Sequence, residues 1–288
     1  MPEPKTRTLD LPGASLRYDM REAETQSDEP VLLMIGYPMA ASGFTSLAGH
    51  FGDRTVVTYD PRGVDRSESE TPGGDSTPDD RAADLHELVS ELGDEPVEIF
   101  ASSGGAVNAL ALVAKHPEQV RTLVAHEPPA AALLPDRGQA LPAIVDIHET
   151  YMRDGFGPGM AKFLALTSLK GPIPAGFADQ PVDAAALGFP TEDDGTRDDP
   201  MLGRSIIATT HYQHDFDTLR AAPTRIVIGA GAESESEMAH RGALAVAERL
   251  GTEPVIFPSH HGGFLGGEFG WAGEPDAFAA KLREVLAG

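Results

Sequence analysis

Short apolar segments alternate with segments of helical periodicity along most of this chain, and this alternation constrains the fold more than any other sequence feature. After an opening hairpin over residues 6–21, the apolar segments are residues 31–35, 55–59, 97–100, 122–125, 224–229 and 254–257. Strands that are apolar on both faces are typical of a buried parallel sheet. The pattern predicts an α/β protein with a mostly parallel eight-stranded sheet flanked by helices.

The alternation stops at residue 131, after the sixth predicted strand, and resumes after residue 205. Helix-like pieces over residues 143–153 and 159–169 and a Pro/Gly/Asp-rich stretch occupy the gap. We predict a core domain made of residues 1–130 and 206–288, with a helical lid inserted as residues 131–205. Its apolar side chains either line a pocket or pack against the core: Met152, Phe156, Met160, Phe163, Leu164 and Leu166.

The charge balance and the cysteine count narrow the function classes. The chain has 45 acidic and 22 Lys or Arg residues, a net charge of −23, which disfavours nucleic acid and anionic membranes as partners. No apolar run has the length of a signal peptide or a membrane span, so we expect a cytoplasmic protein. The absence of cysteine excludes disulfides, thiolate metal sites and a cysteine nucleophile. A small molecule is the expected partner, and a homo-oligomer is compatible with the sequence.

A strand-turn-helix at residues 97–106 contains the strongest chemical signal. The apolar strand enters a helix through Ala101-Ser102-Ser103-Gly104-Gly105. Small neighbours permit a sharp turn that exposes the apex side chain above the sheet. The pattern predicts that Ser103 is a nucleophile and that the backbone N–H of Gly104 points towards a developing oxyanion. Ser102 is the competing register, but it would place Phe100 where a small residue is needed.

With these residues the chain resembles the α/β-hydrolase family over nearly its full length. Residues 34–38, Met-Ile-Gly-Tyr-Pro, resemble the family's His-Gly-x-Pro oxyanion loop. That match makes the Tyr37 N–H the second oxyanion donor, although Ile35 replaces the usual His. Residues 59–67 resemble an Asp-x-Arg-Gly-x-Gly-x-Ser loop, with Asp65 where Gly is common.

The family's general base follows the last strand. Here Ser259-His260-His261-Gly262-Gly263 occupies that place, and a neutral imidazole there can accept the serine proton. The family's His-Gly pattern selects His261, and His260 is the alternative.

The acid is the point where the sequence departs from the family. The position usually held by Asp, after the penultimate strand, is Ser234, and Glu233 lies one residue earlier. A second known location, beyond the sixth strand, contains Glu127. A carboxylate at the end of a buried strand is costly unless it is paired, which favours Glu127. Glu233, or neither residue, remains the alternative.

These residues together predict a serine hydrolase that cleaves a small or medium carboxylic ester, lactone or amide through an acyl-enzyme. Ser103 also argues against haloalkane dehalogenase and epoxide hydrolase activity, because those relatives need Asp at the turn. A cofactor-free lyase, cyclase or perhydrolase, or a non-catalytic binding protein, is the alternative. We expect no cofactor and no metal, since no phosphate-binding motif is present and His211, His214 and Asp215 are typical of a polar patch.

Overall fold

The computed structural model describes residues 3–70 and 76–288 as strands β1–β9 and helices α1–α9. The strands are β1 Lys5–Leu11, β2 Ala14–Arg21, β3 Leu32–Ile35, β4 Val56–Tyr59, β5 Glu68–Ser69, β6 Val97–Ser102, β7 Val120–His126, β8 Arg225–Gly231 and β9 Val255–Phe257. The helices are α1 Thr45–Ala48, α2 Pro78–Leu92, α3 Gly104–Lys115, α4 Arg137–Asp154, α5 Phe156–Thr167, α6 Ile206–Thr210, α7 Phe216–Ala221, α8 Met238–Leu250 and α9 Pro275–Ala287.

The nine strands form one sheet in the order β1-β2-β4-β3-β6-β7-β8-β9, with β5 attached to β2. The strands from β4 to β9 along this order pair in parallel, whereas β2 pairs antiparallel with β1, β4 and β5. The α/β prediction is therefore confirmed, and the carboxyl ends of the central parallel strands meet at one edge. Active sites of open α/β sheets form at that edge.

Helices cover both faces of the sheet because the central strands are apolar on both sides. Buried residues of α2, α3, α7 and α8 form one core layer with the strands, and those of α1 and α9 form the opposite layer. All residues of β3, β4 and β6 are buried. Among the described helices, none is long and apolar enough to cross a membrane.

The chain between β7 and β8 builds a third apolar cluster of its own. Ile144, Ile147 and Tyr151 of α4 pack there with Leu166 of α5 and Leu202. Two helices, α4 and α5, lie in this segment, and residues 168–205 are mostly turns and loops. Helix α4 begins at Arg137 rather than at residue 143 and contains Pro142. Burial of the flanking apolar residues in the cluster outweighs the backbone hydrogen bond that proline cannot make.

The predicted number of strands was wrong. The sheet has nine strands rather than eight, because the two-residue β5 pairs Glu68 with Ser15 at the sheet edge. A bridge this short produces no periodicity that the sequence could reveal. After β3 the chain forms a 3₁₀ turn, Ala41–Phe44, followed by the single-turn α1.

The loop after β4 supports the segment that follows β3. The buried carboxylate of Asp60 accepts hydrogen bonds from the backbone N–H of Ala41 at 2.9 Å and from Arg66 Nε at 2.6 Å. Asp65 has a φ of 49°, in the left-handed region that favours glycine. The Asp65 backbone thus adopts a conformation that suits the glycine common at this position in the resembled pattern.

Candidate active site

Ser103 stands at the apex of the turn between β6 and α3. Its φ of 56° and ψ of −127° lie outside the regions that non-glycine residues normally adopt. The turn is fixed at both ends, because Ser103 N donates to His126 O at 2.9 Å and Ser103 O accepts from Ala106 N at 2.9 Å. Such strain costs about 1–3 kcal/mol and is typical of functional sites.

Two glycines allow α3 to pack directly against the end of β3. A Cβ on Gly105 would lie 2.6 Å from Ile35 O, and one on Gly104 would lie 2.7 Å from Tyr37 O. Both distances are too short for any side chain. The Gly-Gly pair therefore brings the start of α3 close to Tyr37, whose N–H the resemblance assigns to the oxyanion hole.

The two adjacent serines have different surroundings. Ser103 lines a cavity of about 670 Å³, whereas Ser102 is only 2% exposed. Ser102 Oγ lies 3.4 Å from Nδ1 of the fully buried His126. Ser102 therefore belongs to the core beneath the turn, and Ser103 is the serine that a substrate could reach.

Glu127 and His261 form a close hydrogen bond across the carboxyl edge of the sheet. His261 Nδ1 donates to Glu127 Oε2 at 2.5 Å. The Glu127 side chain is fully buried, whereas that of His261 is 30% exposed and lines the same cavity as Ser103. With Nδ1–H directed at the carboxylate, Nε2 of His261 is free to accept a proton.

The other carboxylate oxygen of Glu127 is held by the loop that follows β8. Glu127 Oε1 accepts a hydrogen bond from Gly231 N at 2.8 Å and a short one from Ser234 Oγ. His240 of α8 donates from Nδ1 to Gly231 O at 3.1 Å and lies 3.6 Å from Glu127 Oε1. A buried carboxylate with this many donors is stabilised in its charged form.

The backbone at Glu127 is also in the left-handed region, with a φ of 47°. Glu127 N donates to Gly229 O at 3.0 Å, which continues the pairing of β7 with β8 by one residue. The left-handed turn thus occurs directly after a regular parallel ladder, at the point where the side chain turns towards the loop after β8.

These contacts shift the pKa values of the group. Burial is the largest influence on Glu127 and acts to raise its pKa, but the contacts with His240 and His261 outweigh burial and hold the pKa well below the usual range. For His261, burial lowers the pKa, whereas the bond to Glu127 and the charges of Glu127 and Glu237 raise it, and the net pKa is above the ordinary 6.5.

The alternative residues from the sequence lie elsewhere. The exposed Glu233 has its carboxylate 3.4 Å from Ser259 Oγ. His260 accepts a hydrogen bond at Nδ1 from Gly262 N and lies with Nε2 at 3.2 Å from Ala272 O, so both of its ring nitrogens are engaged. The geometry therefore favours Glu127 over Glu233 as the partner of His261, and His261 over His260 as a proton acceptor.

The sequence did not identify the contacts of Arg81. Its guanidinium carbon lies 3.8 Å from the centre of the Tyr37 ring, and Nη1 donates to Thr209 Oγ1 at 3.0 Å. Arg81 is 2% exposed, so the stacking occurs inside the protein. Arg81 thereby fixes the Tyr37 ring from behind the cavity. Only a tertiary contact between α2 and the β3 loop creates this arrangement.

The cavity has a volume of about 670 Å³ and is mainly apolar. Its walls come from the end of the sheet and from the segment between β7 and β8, which contributes Ile144, Met160, Phe163, Leu164, Leu166 and Met201. Ser103, Gly104, Tyr37 and His261 lie together on its surface. A cavity of this size accommodates a small-molecule substrate. Across the described residues, no group of three or more His, Asp or Glu side chains is arranged to hold a metal ion.

Comparison with known proteins identifies the class. The family described as alpha/beta hydrolase fold matches residues 29–238, so the chain belongs to the α/β-hydrolase family. A relative from Bacillus subtilis (strain 168), described as the uncharacterized hydrolase YraK, is 29% identical over 270 residues. The aligned region covers 89% of this chain and 89% of the relative.

Solved structures share the fold at low sequence identity. An esterase from Thermogutta terrifontis superposes with a TM-score of 0.66 at 18% identity, over 99% of this chain and 98% of that one. The enol-lactonase from Burkholderia xenovorans LB400 has a TM-score of 0.66 at 16% identity, over 98% of this chain and 100% of that one. These similarities establish the fold alone.

Proposed function

We propose that this protein is a serine hydrolase that cleaves a small or medium carboxylic ester, or a lactone or amide, through an acyl-enzyme. The observation that carries the proposal is the 2.5 Å bond from His261 to the buried Glu127, on the rim of the cavity that Ser103 lines. A charged carboxylate that orients an imidazole in a cavity that a partly exposed serine also lines is an arrangement that can activate that serine.

The proposed reaction has two acyl transfers. His261 Nε2 takes the proton as Ser103 Oγ attacks the carbonyl carbon, and the N–H groups of Tyr37 and Gly104 stabilise the oxyanion. The C–O bond to the alcohol then breaks, and His261 returns its proton to the leaving oxygen. Water, deprotonated by His261, attacks the acyl-enzyme, releases the carboxylic acid and restores Ser103. Residues of this chain thus supply the nucleophile, the general base and the oxyanion donors of the proposed reaction.

We further propose that residues 131–205 act as a lid that sets specificity above a core of residues 1–130 and 206–288. This segment has its own apolar cluster and supplies much of the cavity wall. Apolar walls favour substrates with an apolar acyl or alcohol group, since burial of such a group is the main source of binding energy available here.

The test is hydrolysis of a series of p-nitrophenyl esters of short to medium chain length. We expect the wild type to hydrolyse them and Ser103→Ala to lose at least about a thousandfold in kcat/KM. Ser102→Ala is the matched control, and it should stay within about threefold of wild type because Ser102 faces the core.

A fluorophosphonate that labels activated serines separates the alternatives. Labelling without ester turnover would point to a lyase, cyclase or perhydrolase. Neither labelling nor turnover would point to a binding protein. Equal turnover by wild type and Ser103→Ala would contradict the proposal outright.

A further inference from the structure

Glu237 is a carboxylate in a cavity that otherwise has almost no charge. It immediately precedes α8, is half-buried, and lines the cavity together with Ser103 and His261. Of the described residues that line this cavity, none is Lys or Arg. Glu237 therefore places a negative charge on the cavity surface, whereas the cationic Arg81 is buried behind Tyr37. The net charge of −23 outside adds to the negative potential.

The serine and threonine hydroxyls of the cavity wall, apart from that of Ser103, are already engaged. The hydroxyls of Thr167, Ser168, Ser205 and Thr210 donate to backbone carbonyls, at 3.0, 2.7, 2.7 and 2.7 Å respectively. Thr209 Oγ1 accepts from Arg81. By contrast, the Glu237 carboxylate has neither a hydrogen bond nor an ion pair with any described residue. The charge of Glu237 acts on His261 through space, but without a direct contact its half-buried carboxylate is poorly compensated, so a ligand that brings a cation close to it gains binding energy.

An aromatic side chain lies at the same cavity. Trp271 lines it and is 51% exposed, and its indole is the aromatic face that cations prefer. An ammonium group in this cavity would therefore be attracted by both Glu237 and Trp271, whereas a carboxylate beside Glu237 would be repelled.

We propose that Glu237 selects the charge of the substrate, binding an ammonium group on its acyl or alcohol part and rejecting an anionic one. This deepens the proposed hydrolase function, because it assigns the substrate class. Glu237 acts here as a binding residue, and it takes no part in the proton transfers.

The first experiment compares isosteric ester pairs. One partner ends in a trimethylammonium group and the other in an uncharged tert-butyl group, with the group placed in the acyl part (p-nitrophenyl esters) or in the alcohol part (thiocholine-type thioesters). The quantity compared is the ratio of kcat/KM for the charged ester to kcat/KM for its uncharged isostere. In at least one pair this ratio should be about tenfold higher in the wild type than in Glu237→Gln. Because both esters of a pair react through the same His261, any general effect of Glu237 on His261 changes both kcat/KM values and cancels in the ratio.

Glu235→Gln is the matched control. This substitution removes the same unit of charge from a side chain two residues before Glu237. The Glu235 side chain is exposed and does not line the cavity. The ratio for Glu235→Gln should equal that of the wild type. An unchanged ratio for Glu237→Gln in both pairs, or an equal fall in Glu235→Gln, would overturn the assignment of Glu237.

A binding measurement keeps this proposal separate from the hydrolase proposal. Calorimetry at physiological salt should show hexyltrimethylammonium binding to Ser103→Ala about tenfold more tightly than to the double variant Ser103→Ala/Glu237→Gln. Equal affinity would refute the role of Glu237 even if esters are hydrolysed. Weaker binding to the double variant, without any ester turnover by the wild type, would refute the hydrolase function and leave the ammonium site.

Discussion

The carboxyl ends of β7 and β8 lie side by side in the sheet but contribute different things to the site. The end of β7 supplies the fully buried charge of Glu127. The loop after β8 supplies donors to that charge, from Gly231 N and Ser234 Oγ, while its own Glu233 is exposed. The comparison shows that a carboxylate and its supporting donors can be divided between neighbouring strands. The surrounding donors stabilise the charge of Glu127, the carboxylate that contacts His261, whereas Glu233 has no such donors from β7.

The largest expected effect tests this division directly. Glu127→Gln keeps the side-chain size but removes the charge that orients His261, so kcat/KM for an ester should fall by roughly a thousandfold or more. Glu233→Gln should stay within about threefold, because its carboxylate does not contact His261. Steady-state kinetics on purified variants measure both. Similar losses in the two variants, or a loss in Glu233→Gln alone, would contradict the claim that Glu127 and not Glu233 orients His261.

A smaller effect is expected at Ser234, the residue that occupies the family's usual acid position. Ser234→Ala removes one donor from a buried carboxylate, and kcat/KM should fall by about tenfold. Ser259→Ala is the matched control, because its hydroxyl lies near Glu233 instead of Glu127 and its removal should change kcat/KM less than threefold, roughly. A loss in Ser259→Ala that equals the loss in Ser234→Ala would show that the loop, and not the donor, matters.

The smallest expected effect is on the pH dependence. His261 must be neutral to accept a proton, and its pKa is raised above 6.5, so activity should be present at higher pH and be lost as the pH falls through that raised value. Glu127→Gln removes two causes of the upward shift, so the acid limb of its residual kcat/KM should move to lower pH.

The same limb should remain in place in Glu233→Gln. A pH profile of kcat/KM for the three proteins, measured with one ester, decides the matter. An acid limb at the same pH in all three would mean that Glu127 does not control His261.

Local patterns in the sequence predicted the framework and the turn at Ser103. Apolar strands, helical periodicity and the small residues around Ser103 act over a few neighbouring residues, so they can be recognised without a structure. By contrast, a two-residue bridge such as β5 has no local pattern. The length of α4 was underestimated because its proline is compensated by tertiary packing.

The identity of the acid could not be decided from the sequence, because it depends on residues far apart in the chain. Glu127 and His261 are separated by 134 positions, and the donors Gly231 and Ser234 come from a third region. The sequence did place Ser234 at the usual acid position, but only the fold reveals that its hydroxyl points to Glu127. The stacking of Arg81 on Tyr37 was likewise not foreseen.

Because of the positive φ of Ser103, the stability of the turn and the presence of a reactive side chain in it are opposing requirements. A glycine at that position would relax the turn and recover roughly 1–3 kcal/mol, a considerable part of the 5–15 kcal/mol by which a typical domain is stable. The most stable form of the turn is therefore a chemically inert one. A mutagenesis screen that selects for thermal stability alone will therefore tend to replace Ser103, the proposed nucleophile. Variants of this fold selected for stability should be assayed for function at the same time.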